Sequence, residues 1–250
     1  MAATISCRPQ IHWRIKRGLI VLWILYSADQ EVYKSAIASE IASESAKQGF
    51  RTILADMSGQ CTICSTGHVL QNTCLMSFDD VIAGEAKLES IVYSSPENNH
   101  LSYVFTADNP NVSIGEYTAY LMMLESMCDI LVINMRVGDE SFDYQIKKSR
   151  DRLLMMLMAD EQSIHCSESS YAKWRANGFL PELAGLYLRK NSAKEEEYLL
   201  HEAETCFGEA FRYQIAVEKS SIFGTGEKKT PFTLAAERFS QQIVKEWLKD

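Results

Sequence analysis

Lys34 and Ser35 stand at the head of a stretch, Ala36 to Ala46, whose apolar residues recur at helical spacing. A lysine followed by a hydroxyl residue at a helix start is the pair a phosphate-binding loop uses. The ammonium neutralises phosphate charge, and the hydroxyl holds Mg²⁺. The residues before this pair depart from that chemistry. Ala28-Asp29-Gln30-Glu31-Val32-Tyr33 holds no glycine, so nothing in it offers a low-cost positive φ or a close backbone approach to phosphate oxygens. It holds two carboxylates instead. Like charges ~4 Å apart repel by roughly 1 kcal/mol in water and by about 4 kcal/mol at a protein surface. Asp29 and Glu31 therefore oppose a triphosphate, and the loop reads as closed to ATP in its usual pose.

The elements that must position these groups are legible on either side. An apolar run, Gly18 to Tyr26, precedes the loop at the length of a buried central strand. A helix with Ala36, Ile37, Ile41, Ala42 and Ala46 on its apolar positions follows and ends at Gly49, where a left-handed cap is expected. A second strand runs from Thr52 to Ala55. This strand-helix-strand order fits a parallel sheet with helices on both faces. Further along, Ile130 to Ile133 and Leu153 to Met158 read as buried parallel strands, and Leu121 to Leu124 lies on a helix.

With these residues in view, the chain resembles the MinD/ParA class of P-loop ATPases, and within it the flagellar-number regulators of the FlhG/FleN type. The resemblance covers most of the chain. It includes Ser77 to Val92 with the strand Leu101 to Ala107, the segment Arg152 to Glu161, a loop at Ser163-Ile164, a helix from Ser167 to Arg175, and Tyr213 to Glu218. It implies an α/β fold, a doubly wound and mostly parallel sheet of the P-loop NTPase, MinD type. It also implies where the nucleotide groups should stand. The family's signature lysine falls at Asp29, and its glycines fall at Gln30, Glu31 and Tyr33. The first acid of the family's D-x-D pair survives as Asp56, the second is Ser58, and the acid that ends the Walker B strand is Asn134, followed by Met135-Arg136. An amide cannot supply the anionic charge that a Mg²⁺ site uses. The proline beside adenine becomes Glu218, and the asparagine near the base has no counterpart in Leu188-Arg189-Lys190.

Composition bounds the rest. The chain of 250 residues has five prolines and twelve glycines with no obvious linker, and reads as one domain over 18–250 after a basic lead, 1–17, expected to be poorly ordered. Arg8, Arg14, Lys16 and Arg17 give that lead its charge; a presequence and a membrane-surface contact are the alternatives weighed against a solvated tail. A net charge of −8 argues against nucleic acid. Seven scattered cysteines point to free thiols in a reducing compartment. Cys61-x-x-Cys64 with His68 and Cys74 offers a zinc-like or redox grouping, disfavoured because Cys74 leads straight into an apolar segment. The dispersed His12, His100, His165 and His201 form no triad. Met122, Met123, Met127, Met155, Met156 and Met158 read as core. The terminal stripe Leu234, Phe239, Ile243 and Trp247 reads as a helix packed on the sheet, its balanced charges giving little pull toward anionic lipid.

The expectation is a non-catalytic relative of the MinD/FlhG type, with no catalytic residue and no bound metal or cofactor. As a protein-binding regulator it would act on the number, placement or assembly of a flagellum, pilus or secretion apparatus. Its partners would be proteins of that assembly, with a homodimer open and membrane contact not favoured, and its place the cytoplasm, the inner membrane face or the cell pole. The alternative is an ATPase with an atypical loop that binds ATP and Mg²⁺ through Lys34, Ser35 and Asp56.

Overall fold

Val21–Tyr26 forms the first strand, β1, and its residues from Leu22 to Tyr26 are at most 2% exposed. A strand covered on both faces reads as an unbroken apolar run because neither row of side chains meets water. The computed structural model that carries it describes residues 21–29, 34–59, 76–106, 118–138, 152–158, 160–189, 193–218 and 231–247. The lead 1–17, Glu31, Cys61, Cys64, His68 and Cys74 lie outside these residues, and so do the expectations placed on them.

Around β1 the described residues build one sheet from β2 (Thr52–Asp56), β3 (Tyr93–Ser94), β4 (Leu101–Phe105), β5 (Ile130–Asn134), β6 (Arg152–Met158), β7 (Glu182–Arg189) and β8 (Phe211–Glu218). The order is β3-β4-β2-β5-β1-β6-β7-β8. Only the edge pairing of β3 with β4 is antiparallel. The helices are α1 (Lys34–Lys47), α2 (Phe78–Ile82), α3 (Thr118–Met127), α4 (Glu161–Ala176), α5 (Ala193–Phe207) and α6 (Pro231–Trp247). Strand side chains alternate between faces, so β1 feeds two cores at once. Leu22, Ile24 and Tyr26 pack with Leu121, Leu124, Ile164, Trp174 and Phe207 from α3, α4 and α5. Trp23 and Leu25 pack on the opposite face with Ile37 and Ile41 of α1 and with Phe239 and Ile243 of α6. The fold is the doubly wound α/β sheet that the sequence predicts.

Local signals behave as chemistry dictates. α1 ends at Gly49, whose φ of +87° is the left-handed cap expected there. Phe239, Ile243 and Trp247 of α6 are buried on the sheet, whereas Leu234 is exposed and leaves the expected stripe. Two expectations are corrected. Met122 and Met123 are 59% and 50% exposed rather than core, because Leu121 and Leu124, three apart, already take the inward positions of α3 and turn the intervening pair outward. Met155 and Met156 on β6 are buried as expected. Ser163 and Ile164 lie in the first turn of α4 rather than in a loop, because the Asp160 carboxylate caps that helix by accepting the Ser163 backbone N–H at 2.8 Å. Among the described residues, no helix is long and apolar enough to cross a membrane.

Candidate functional site

From β1 the chain passes over β5 to reach β2, and later returns through β5 to continue on the other side of β1 as β6, β7 and β8. The strand order thus reverses beside β1, and the crevice outside the carboxyl ends at such a reversal is where open α/β sheets place ligands. The tips at that end are Ser27 to Asp29 after β1, Asp56 to Ser58 at and beyond the end of β2, Asn134 to Arg136 at and beyond the end of β5, and Asp160 after β6. Parallel pairing sets Asn134 level with Leu25 on one side and Asp56 on the other.

Asn134 is the centre of the arrangement. Its side-chain amide donates to Ser35 Oγ at 2.9 Å and to Asp56 Oδ1 at 2.8 Å. The orientation follows from the partner: an ionised carboxylate only accepts, so the NH₂ end must face Asp56. Asp56 Oδ1 also takes the Ser58 backbone N–H at 3.1 Å. Lys34 is fully buried, and its ammonium donates to the backbone carbonyl of Met135, the residue after Asn134. Backbone bonds from Met57 N–H to the Asn134 carbonyl at 2.8 Å and from Met135 N–H to the Leu25 carbonyl at 3.0 Å hold the three strand tips in place. Asn134 Oδ1 is buried with no hydrogen-bond partner among the described residues.

The second cluster forms around Asp29. Its Oδ1 accepts from Ser163 Oγ at 3.1 Å, and the same hydroxyl accepts the Met158 backbone N–H at 3.0 Å. Asp29 Oδ2 is buried without a hydrogen-bond partner among the described residues. Burial raises the Asp29 pKa, and the charge of Asp160 adds to that rise against the opposing Ser163 hydrogen bond. The loop after β5 closes over this strand end. Gly138, at φ +66°, donates its N–H to the Ser27 carbonyl at 2.9 Å, and a Cβ there would stand 3.2 Å from the Ala28 carbonyl oxygen. Only glycine meets both demands without strain.

The structure therefore brings together Lys34, Ser35, Asp56 and Asn134, and sets Asp29 on the far side of the β1 tip against α4. Arg136, half-buried, follows them on the loop. Sequence reasoning missed Asp160 and Ser163. Ser163 lies 134 residues from Asp29, and no local pattern announces a contact of that separation. Ser35 Oγ and the Asp56 carboxylate are oxygen groups of the kind Mg²⁺ takes, and the Asn134 amide N–H groups stand between them. Asn134→Asp is expected to lower the melting temperature at pH 7, because two buried carboxylates would meet where one hydrogen bond now joins them. Thermal unfolding of the variant beside wild type checks this.

No protein-family model matches the chain, and no curated protein matches it. Solved structures do. A putative plasmid partition protein from Borrelia burgdorferi bound to AMPPNP superposes with a TM-score of 0.65 at 13% identity, covering 92% of this chain and 100% of that one. The septum site-determining protein MinD from Pyrococcus horikoshii, complexed with Mg-ADP, gives 0.63 at 11% identity, covering 90% and 96%. MinD in the MinC:MinD cell division complex of Aquifex aeolicus gives 0.58 at 14% identity, covering 90% and 88%. The chain shares the fold of MinD/ParA-type P-loop ATPases; at these identities the likeness carries the fold alone.

Proposed function

We propose that this chain, on its MinD/ParA-type fold, is a nucleotide-independent docking protein that regulates the number, placement or assembly of a cell-surface machine. The observation that carries the reading is the Asn134 amide, which joins Ser35 to Asp56 by hydrogen bonds where a nucleotide-hydrolysing site would gather Mg²⁺. A fixed network of this kind holds the strand tips without a ligand, so a partner surface built on them would exist in one state rather than two. The half-buried Asp29 carboxylate supports the same reading, since it stands at the strand tip where a triphosphate would need positive charge. The flagellar-number subfamily, and with it a flagellum, pilus or secretion apparatus as client, extends the sequence resemblance. The neighbour seated on MinC supports a protein as the kind of partner.

A second reading has a specific observation in its favour. Lys34, Ser35 and Asp56 do converge, and two fold neighbours carry AMPPNP and Mg-ADP. An ATPase working through these groups depends on the Lys34 charge. The two readings separate on Lys34→Met, which keeps the length of the buried stem and removes the ammonium. Introduced into the source organism in place of the wild-type gene, the variant is expected to leave the number and position of surface machines as in wild type, counted per cell by microscopy. A phenotype equal to gene deletion, with the variant folded by circular dichroism, would favour the ATPase.

A further inference from the structure

At the opposite end of the sheet from the site above, the amino ends of β6, β7 and β8 and the last turns of α6 line a cavity of about 460 Å³, within the range of small-molecule sites. Aromatic residues make its apolar side. Trp247, 7% exposed, is backed edge-on by Trp23 with ring centroids 6.1 Å apart, and the Tyr213 ring stands edge-on to Phe239 at 5.3 Å. The charged groups are Arg152, Glu182, Arg212 and Glu246, two of each sign. How they pair, rather than how many there are, decides which ligand the cavity suits.

Both cations are committed to one carboxylate. Glu182 Oε1 takes Arg212 Nη1 at 3.0 Å and lies 3.8 Å from Arg152 Nε. Glu246 makes no ion pair among the described residues: Gln242 donates to its Oε1 at 2.9 Å, and its Oε2 stands 3.4 Å from the Tyr213 hydroxyl. That hydroxyl also lies 3.3 Å from Glu182 Oε2, and its single proton serves only one of the two carboxylates. Donation to Glu182, which is the nearer, leaves Glu246 Oε2 and the lone pairs of the Tyr213 oxygen as adjacent acceptors with no donor between them. The Tyr213 pKa registers the same imbalance. Burial raises it most, and the charges of Glu182 and Glu246 raise it further against the weaker opposing charge of Arg212. An anion entering here would meet an uncompensated carboxylate, whereas a cation supplies both the missing charge and the missing N–H donors. The aromatic side agrees, since tryptophan is the ring that attracts a cation most strongly.

We propose that this cavity binds a small organic primary amine in its ammonium form, whose N–H groups bridge Glu246 Oε2 and the Tyr213 hydroxyl oxygen and whose apolar body lies on the Trp247 ring. The site stands independently of the reading proposed for the strand tips. Phenethylamine is the probe, titrated into the full-length protein at neutral pH and read by calorimetry. Saturable one-site binding is expected below about 10 mM, the range open to ligands of that size. Phenethyl alcohol, which keeps the carbon skeleton and lacks the charge, is expected to bind at least about tenfold more weakly, and phenylacetate, of opposite charge, to give no saturable heat in that range. Glu246→Gln, which keeps the size of the side chain and removes its charge, is expected to weaken phenethylamine binding about tenfold, while Arg175→Gln on α4 leaves it unchanged. Absence of saturable heat with the amine, equal binding of the alcohol or the acid, or indifference to Glu246→Gln would each overturn the proposal. Glu246 is exposed, so its replacement leaves the core intact and keeps the test decisive.

Discussion

Tyr26→Ala is expected to lower the unfolding free energy by about 4 kcal/mol, the middle of the range for emptying a large aromatic site in a core. Tyr26 is fully buried at the tip of the central strand, with its ring edge-on to Trp174 at 5.5 Å and its hydroxyl within 3.0 Å of Ser170 Oγ. Both partners lie on α4, the helix whose first turn also holds Asp29 through Ser163. Truncation therefore opens a cavity and loosens the seat of α4 on β1. For a chain of this size the change corresponds to a fall of roughly 10 °C in melting temperature. Tyr26→Phe keeps the ring and is expected to cost about 1 kcal/mol, the net worth of a typical hydrogen bond. Circular dichroism on the pair of variants separates the two contributions, and a loss under about 1 kcal/mol for alanine would mean that β1 is not the packed centre described.

Asp129→Ala is the second large effect. Asp129 lies beside the start of β5, and its carboxylate takes three bonds from one residue: Arg51 backbone N–H at 2.9 Å, Nε at 3.2 Å and Nη2 at 2.7 Å. Both side chains are mostly covered, so removing one partner strands the other, at a cost of about 3 kcal/mol. The pair also fixes how that stability depends on pH. Burial pushes the Asp129 pKa up, but the hydrogen bonds and charge of Arg51 outweigh it and hold the carboxyl below its ordinary value of 3.8. A depressed folded-state pKa contributes stability that is present above the unfolded value and is lost as the pH falls through the folded one. The gap between wild type and Asp129→Ala is thus expected to be constant above about pH 5 and to narrow as the pH drops below about 4. Urea unfolding at stepped pH measures it, and a gap that widens in acid would contradict the assignment.

The fold was legible because its strands carry their burial in their composition. Val21 to Tyr26, Ile130 to Ile133 and Leu153 to Met158 are apolar without interruption, and only a strand with both faces covered needs that. The antiparallel edge at Tyr93–Ser94 escaped notice because two residues make no pattern. Met122 and Met123 were misread for a physical reason: methionine suits a core and a surface alike, and its inward or outward turn is set by where Leu121 and Leu124 point. At the site, the types of Lys34, Ser35, Asp56 and Asn134 were readable in order along the chain. That the Asn134 amide would join Ser35 to Asp56 was not, because the contact is made by strand register across residues 78 and 99 positions apart.

The Asn134 network also gives the proposed function its physical content. In a nucleotide switch, two arrangements of the strand tips are separated by the ligand's binding energy, and a ligand can shift an equilibrium only by its differential affinity for the two states. Here the bonds among Ser35, Asp56 and Asn134 form within the chain, so no nucleotide is needed to complete them. Regulation would then act through the amount of protein or through its partner.

The most direct measurement is the melting temperature of the full-length protein with and without Mg-ATP at about 5 mM. A site with a dissociation constant near 50 μM would gain about 2.7 kcal/mol there, a rise of roughly 7 °C. The account predicts no change beyond about 1 °C with ATP or ADP. A rise that grows with nucleotide concentration and disappears in Lys34→Met would contradict it.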